Sequence, residues 1–187
     1  MPTLRHHLAN AISTPLTMAK LVLMKMIYPK GIFFGGIERF SPGVVVDTDR
    51  NSKICFGRRV SIHSRCRIVA TCGGEITIGD NTSFNVGCMA ISRNKIVIGR
   101  NVSFGPNVLI YDHDHVMNRN SGVKGAGFQY GSVEIGDNAW IGAGTIILRG
   151  TRIGDNCVIA AGSVVKGNIP DNTILIQKRV DLCKGFD

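Results

Sequence analysis

From Ile135 onward an aliphatic residue recurs at every sixth position: Ile135, Ile141, Ile147, Ile153, Ile159 and Val165. Glycine follows it in Ile135-Gly136, Ile141-Gly142 and Ile153-Gly154, and a small or compact residue stands four positions after it at Ala139, Thr145, Thr151, Cys157 and Ser163. The same step runs through Ile98, Phe104 and Ile110, and before them through Ile78 and Phe84, with weaker copies at Val60, Cys66 and Cys72. Six is not a helical period, and the segments are too short for strand-helix-strand crossovers. The step suits a solenoid in which each unit makes one short strand and one turn, and three units close a triangular coil of about eighteen residues. The aliphatic residue then points inward and stacks on its equivalents, while the small residue fits the corner. Glycine and asparagine relieve the backbone at the turns.

Three stretches break the repeat. Residues 1–32 predict one or two helical segments, with Leu16, Ala19, Leu21, Leu23, Met24 and Ile27 forming a partly amphipathic face beside Lys20, Lys25 and Lys30. Two roles fit such a segment: a cap on the open end of the solenoid, or an interfacial helix in peripheral contact with anionic lipid. The second break, residues 112–132, is a polar excursion containing Gly122, Gly125, Gly127 and Gly131. A loop of that length inside a compact solenoid is usually functional. The third is the tail, residues 177–187. The solenoid domain is therefore expected over residues 33–176.

Composition narrows the partners. Aromatics make up 6% of the chain against 23 glycines, which suits a narrow interior packed by short aliphatic side chains. The formal net charge is +9. A phosphate-bearing cofactor, an anionic membrane surface or a merely solvated basic face would each account for it. No nucleic-acid module is visible, and the basic residues are scattered, so nucleic acid is not expected as a partner. The six cysteines form no CxxC pair, which points to free thiols in a reduced, cytoplasmic setting and to no metal. No stretch reads as a membrane span or a signal peptide.

The excursion opens with Tyr111-Asp112-His113-Asp114-His115. Histidine is the side chain best suited by its chemistry to take and return a proton, and the carboxylates beside it would orient the ring, which are the properties of a general base.

These patterns together resemble the hexapeptide-repeat acyltransferases over roughly residues 40–173, and the resemblance implies an all-β, left-handed parallel β-helix with a short N-terminal helical segment and one long excursion loop. Within that family the segment Ile98-Gly99-Arg100-Asn101-Val102-Ser103-Phe104-Gly105-Pro106-Asn107-Val108 is similar to the repeat that precedes the catalytic histidine of galactoside and maltose acetyltransferases. Laid on Pro106 without a gap, the family's histidine falls on His115; a short gap would move it to His113. The implied activity is transfer of an acetyl group from acetyl-CoA to a hydroxyl of a sugar or surface-polysaccharide precursor, with histidine as base.

The resemblance also implies substrate contacts at Asn85, Asp112 and Trp140, and a groove for coenzyme A between subunits of a homotrimer. The matching cofactor positions are Gly142, Ala143, Ala161, Gly162, Lys166, Lys178 and Arg179. Lys166 comes one position earlier than in the family. The family's closing G-x-P-A-K-like segment is replaced here by Ile174-Leu175-Ile176-Gln177-Lys178-Arg179. Asn85 also fits a corner asparagine in a left-handed turn, and Trp140 fits packing beneath the loop. Two other functions share the architecture. A γ-class carbonic anhydrase needs three converging imidazoles, for which only His63, His6 and His7 remain outside the loop. A non-catalytic scaffold would leave the loop histidines without a role. Serine acetyltransferase lacks its large helical domain here, and an amino-sugar nitrogen is a further acceptor type.

Overall fold

The computed structural model describes Pro15, Ala19, residues 21–36 and residues 38–178. Parallel strands stack into three flat faces around one apolar core. Face one runs Ile32–Phe34, Lys53–Phe56, Glu75–Ile78, Lys95–Ile98, Val133–Ile135, Arg152–Ile153, Asn168–Ile169. Face two runs Arg39–Phe40, Ser61–Ile62, Ser83–Phe84, Ser103–Phe104, Trp140–Ile141, Val158–Ile159, Ile174–Leu175. Face three runs Val45–Thr48, Arg67–Ala70, Met89–Ser92, Leu109–Tyr111, Ile146–Ile147, Val164–Val165. Each chain passage visits faces one, two and three in turn, so pairing is always to the coil above and below.

The six-residue aliphatic series from Ile135 to Val165 is buried at every member, and so are the small residues Ala139, Thr145, Thr151, Cys157 and Ser163. The small residues turn the corners. Their hydroxyls do not go unsatisfied: Thr145, Thr151 and Ser163 each donate to the carbonyl three residues back, at 2.7, 2.6 and 2.6 Å. Cys66, Cys88 and Cys157 occupy the same kind of site as buried free thiols.

The coil is not uniformly eighteen residues. Ile32 pairs with Ile54 and Ile54 with Ile76, a step of 22. Only in the C-terminal half does it reach 18, where Glu134 pairs with Arg152. The early coils are longer because their strands on faces one and three run up to four residues and so offer two inward positions, as at Ile76 and Ile78 on face one and at Val46 and Thr48 on face three. A six-residue step therefore drifts out of register upstream. Val60 and Cys66 are interior, but Cys72, the third of the weak copies, is exposed on a corner at φ 56°.

One corner is held by an asparagine ladder. Asn81, Asn101, Asn138, Asn156 and Asn172 all adopt φ of 56–59°. Each of the first four donates its side-chain amide to the next at 3.0 Å. Asparagine tolerates this left-handed conformation better than other L-residues, and the amide chain ties successive coils together.

Residues 21–27 are helical. Leu21 is buried in the core and Met24 packs against it, so this segment covers the first coil; Val22, Leu23, Met26 and Ile27 are exposed. Leu16, also read as part of this face, lies outside the described residues. At the other end the Gln177 side chain takes the place of a strand, accepting from Val164 N at 2.9 Å and donating to Val164 O at 2.7 Å. No helix among the described residues is long and apolar enough to cross a membrane.

The first coil carries one charged residue in the interior. Glu38 is buried, accepts only the Gly36 N–H at 3.3 Å, and its second oxygen has no partner among the described residues. Burial pushes its carboxyl from 4.5 up to about 7; the Gly36 N–H works against this and the nearby Asp80 charge adds to it. Between those two pH values the folded chain keeps a proton that the unfolded chain has lost, so stability falls as pH rises through that window. Glu38→Gln is expected to be more stable than the wild type at pH 8, by up to about 3 kcal/mol. That advantage closes as pH falls to about 4.5. Denaturant unfolding at the two pH values checks it, and a gain that does not depend on pH would contradict it.

Candidate active site

After strand Leu109–Tyr111 the chain leaves the solenoid at the corner between faces three and one, and strand Val133–Ile135 brings it back onto face one. The excursion is not irregular throughout. His113–His115 pairs antiparallel with Phe128–Tyr130, with His113 opposite Tyr130 and His115 opposite Phe128. Alternation along the strand puts both imidazoles on one side of the hairpin, and Asp114 on the other. There Arg149 from the next coil bonds Asp114 and Gln129, each at 2.6 Å, and pins the hairpin to the solenoid.

Asp112 is fully buried beneath the hairpin. Its carboxylate accepts from Ser92 Oγ at 2.6 Å and from the N–H groups of Arg93 and Asn94 at 2.9 Å each. It also lies 2.9 Å from His113 Nδ1. The carboxylate, expected to contact the acceptor, is covered within this chain and anchors the loop to the coil before it. His113 shares that anchorage, with its side chain 12% exposed. His115 is exposed, its ring 4.5 Å from the ring of Phe128, and it has no hydrogen-bond partner among the described residues.

The other expected site residues gather elsewhere. Asn85, Gly142, Ala143, Ala161 and Gly162 lie along the corner between faces two and three, with Trp140 on face two beside it. Asn85 is exposed and its side chain accepts from Val86 N at 2.8 Å; the left-handed residue of that turn is Gly87, not Asn85. Trp140 is 56% exposed and does not pack beneath the loop. Gly142 N is committed to Ile159 O, and a Cβ there would lie 2.5 Å from Ala161 N, so glycine is needed for the coils to stack. Ala143 and Ala161 are different: their N–H groups have no partner among the described residues. Lys166 stands on the hairpin's corner and Lys178 just past the last face-two strand, both exposed. Arg179, His6 and His7 lie outside the described residues.

Within one chain the two groups do not meet, because face three separates them. From Met89 onward the outer side of that face is apolar: Met89, Leu109, Ile146 and Val164 form one column and Ile91 and Tyr111 a second, which the earlier coils continue with Arg67 and Val45 and with Val69 and Asp47. A cavity of about 360 Å³ lies away from both groups, on the asparagine corner, lined by Glu134, Asp137, Asp155 and Asp171. Asp155 and Asp171 there accept backbone N–H groups of the preceding coil, which makes them structural. Among the described residues no three metal-ligating side chains converge.

Residues 132–167 match the family of bacterial transferase hexapeptide repeats. The galactoside O-acetyltransferase of Lactococcus lactis is 34% identical over 144 residues, which are 74% of this chain and 69% of that protein. The chain belongs to the hexapeptide-repeat acetyltransferases. An acetyltransferase of Saccharomyces cerevisiae is 44% identical over 102 residues, covering 54% of this chain and about half (52%) of the yeast protein. In fold the family member resembles AntD of Bacillus cereus, an N-acyltransferase crystallised with dTDP and coenzyme A. The TM-score is 0.64 at 18% identity, over 82% of this chain and 81% of that one. The architecture is accordingly the left-handed parallel β-helix of these enzymes.

Periodicity marked where the chain leaves the solenoid. It carried no signal for Ser92, Arg93, Phe128 and Arg149, which reach the loop from the coils on either side or across the hairpin.

Proposed function

We propose that this protein is an acetyl-CoA-dependent O-acetyltransferase that acts as a homotrimer on a hydroxyl of a sugar or polysaccharide precursor. The observation that carries the reading is the placement of chemistry on the two edges of one apolar face. The pinned histidine hairpin stands on one edge, and the Ala143 and Ala161 N–H groups, without a partner among the described residues, stand on the other. Copies packed around a threefold axis that runs alongside face three bring the hairpin of one subunit beside the amide edge of the next. Coenzyme A then lies along that edge, bonded by Ala143 and Ala161, flanked by Asn85, Trp140 and Gly162, with Lys166, Lys178 and Arg179 as charges for its phosphates. Attachment to an anionic inner membrane face would use Val22, Leu23, Met26 and Ile27.

In this arrangement His115 is the general base. A sugar hydroxyl is a weak nucleophile at neutral pH, whereas a thioester is already activated. His115 takes the hydroxyl proton as the oxygen attacks the acetyl carbonyl. When the carbon–sulfur bond breaks, the same imidazolium returns the proton to the departing thiolate. The exposed ring is the one both substrates can reach. His113, largely covered and tied to Asp112, holds the strand that presents it.

Thiol release from acetyl-CoA with a panel of sugars tests the reaction. Ile146→Asp, on the apolar face, tests the assembly: the trimer is expected to dissociate in sedimentation and turnover to fall with it. A dissociated chain that keeps full turnover would overturn the shared site.

A further inference from the structure

The guanidinium of Arg149 is taken up by Asp114 and Gln129. That of Arg93, on the other side of the hairpin, makes no ion pair among the described residues. Its position is nevertheless fixed. The guanidinium carbon lies 4.0 Å from the centroid of the Phe128 ring. One terminal nitrogen lies 3.0 Å from Cys72 Sγ, a weak acceptor, and Nε is buried without any acceptor. The backbone is fixed as well, since Arg93 N donates to Asp112. A desolvated guanidinium N–H with no oxygen to meet is costly, and here it belongs to a cation clamped in place.

The same Phe128 ring touches His115 at 4.5 Å and His113 at 5.5 Å. Arg93 and His115 are therefore within about 8.5 Å of each other, the sum of their distances to the shared ring. A single hexose with its substituents can span a separation up to that bound. Carboxylate and phosphate both match the planar fork of arginine.

Resting on the acetyl-transfer reading above, we propose that the acceptor is an acidic saccharide. Its carboxylate or phosphate monoester is bound by Arg93, so that a hydroxyl of the same sugar faces His115. Arg93 is then a specificity-determining residue: it discriminates among acceptors and takes no part in proton transfer. The chain's charge of +9 favours the approach of such an acceptor.

Calorimetric binding of galactose, galacturonic acid and galactose 6-phosphate, each with coenzyme A present, tests the proposal. The wild type is expected to bind at least one of the acids about tenfold or more tightly than galactose, with the difference shrinking as salt is raised. Arg93→Gln loses the preference. Arg93→Lys keeps part of it, because charge remains and the fork does not. Arg152→Gln, on the outer side of face one, keeps all of it. Equal binding of the three sugars by the wild type overturns the proposal, as does a preference that survives in Arg93→Gln. Thiol release from acetyl-CoA in the same samples separates the two readings. A preference for acids without any thiol release sinks the transferase reading and leaves the anion site standing. Thiol release that is equal for the three sugars and unchanged in Arg93→Gln does the reverse. Should Arg93→Gln slow release by the same factor with every acceptor, the residue belongs to the transfer step and acid recognition is wrong.

Discussion

His115→Ala is expected to lower kcat by about 10²–10⁴-fold, the usual worth of the positioned general base proposed for it, with the oligomeric state unchanged. The size follows from what the alanine leaves behind. Coenzyme A would still bind along its edge and the acceptor would still reach the thioester, but no group would take the hydroxyl proton. Binding of both substrates should change little, so the loss belongs in kcat and not in KM. The ring is exposed and makes no hydrogen bond among the described residues, so its removal should cost the fold little. His113→Ala is the contrasting variant. It cuts the contact to Asp112 and loosens the strand, so turnover should fall by a smaller factor, with some loss of stability. Steady-state thiol release for both variants decides between the two rings. If His113→Ala abolishes turnover and His115→Ala spares it, the Asp112-oriented ring is the base, and the two histidines exchange roles.

That contrast also shows what the sequence could and could not convey. The excursion was visible because the six-residue step stops at Ile110, and the two histidines were visible because they stand where it stops. Their different surroundings were not. The resemblance implies an acceptor contact at Asp112, and nothing in the residues around it signals that its carboxylate is covered. Its burial depends on three donors from the preceding coil, Ser92 Oγ, Arg93 N and Asn94 N, which lie 18 to 20 residues earlier. The strand pairing of Phe128 with His115 spans a loop with no period at all. Local residue pattern reports which side chains point inward, and it is silent on which polar groups meet across a corner.

The upstream coils show the same limit from the side of packing. Ile78, Phe84, Ile98, Phe104 and Ile110 were legible as inward positions, and all five are buried. Cys72 was not separable from them, because the step assumed two-residue strands and the chain there builds four-residue ones. Where every face keeps its short strands, as from Ile135 to Val165, register survives and the reading is right position by position.

Phe84→Ala puts that packing to its hardest test. Phe84 is fully buried in the inward column Phe40, Ile62, Phe84, Phe104, Ile141, Ile159, Leu175 of face two. Its ring stacks on Phe104 with centroids 4.5 Å apart and planes 14° from parallel. Truncation removes the transfer free energy of the ring and leaves a cavity that flat, hydrogen-bonded rungs cannot collapse to fill. A loss of about 3–5 kcal/mol is expected. In a solenoid each coil is held only by its neighbours, so a cavity at this depth weakens the contact with the coil above and the coil below together. The hairpin is anchored to coils on this same stack through Ser92 and Asp112, and activity should therefore be lost at a lower denaturant concentration than in the wild type. Denaturant unfolding at one fixed protein concentration measures the cost, because dissociation of an oligomer would otherwise mix into it. Ser83→Ala, one residue away and pointing outward on the same strand, should change stability by a few tenths of a kcal/mol at most. Equal effects at the two positions would mean that residues 83 and 84 do not alternate between surface and core, and the stacked-rung architecture would fail with them.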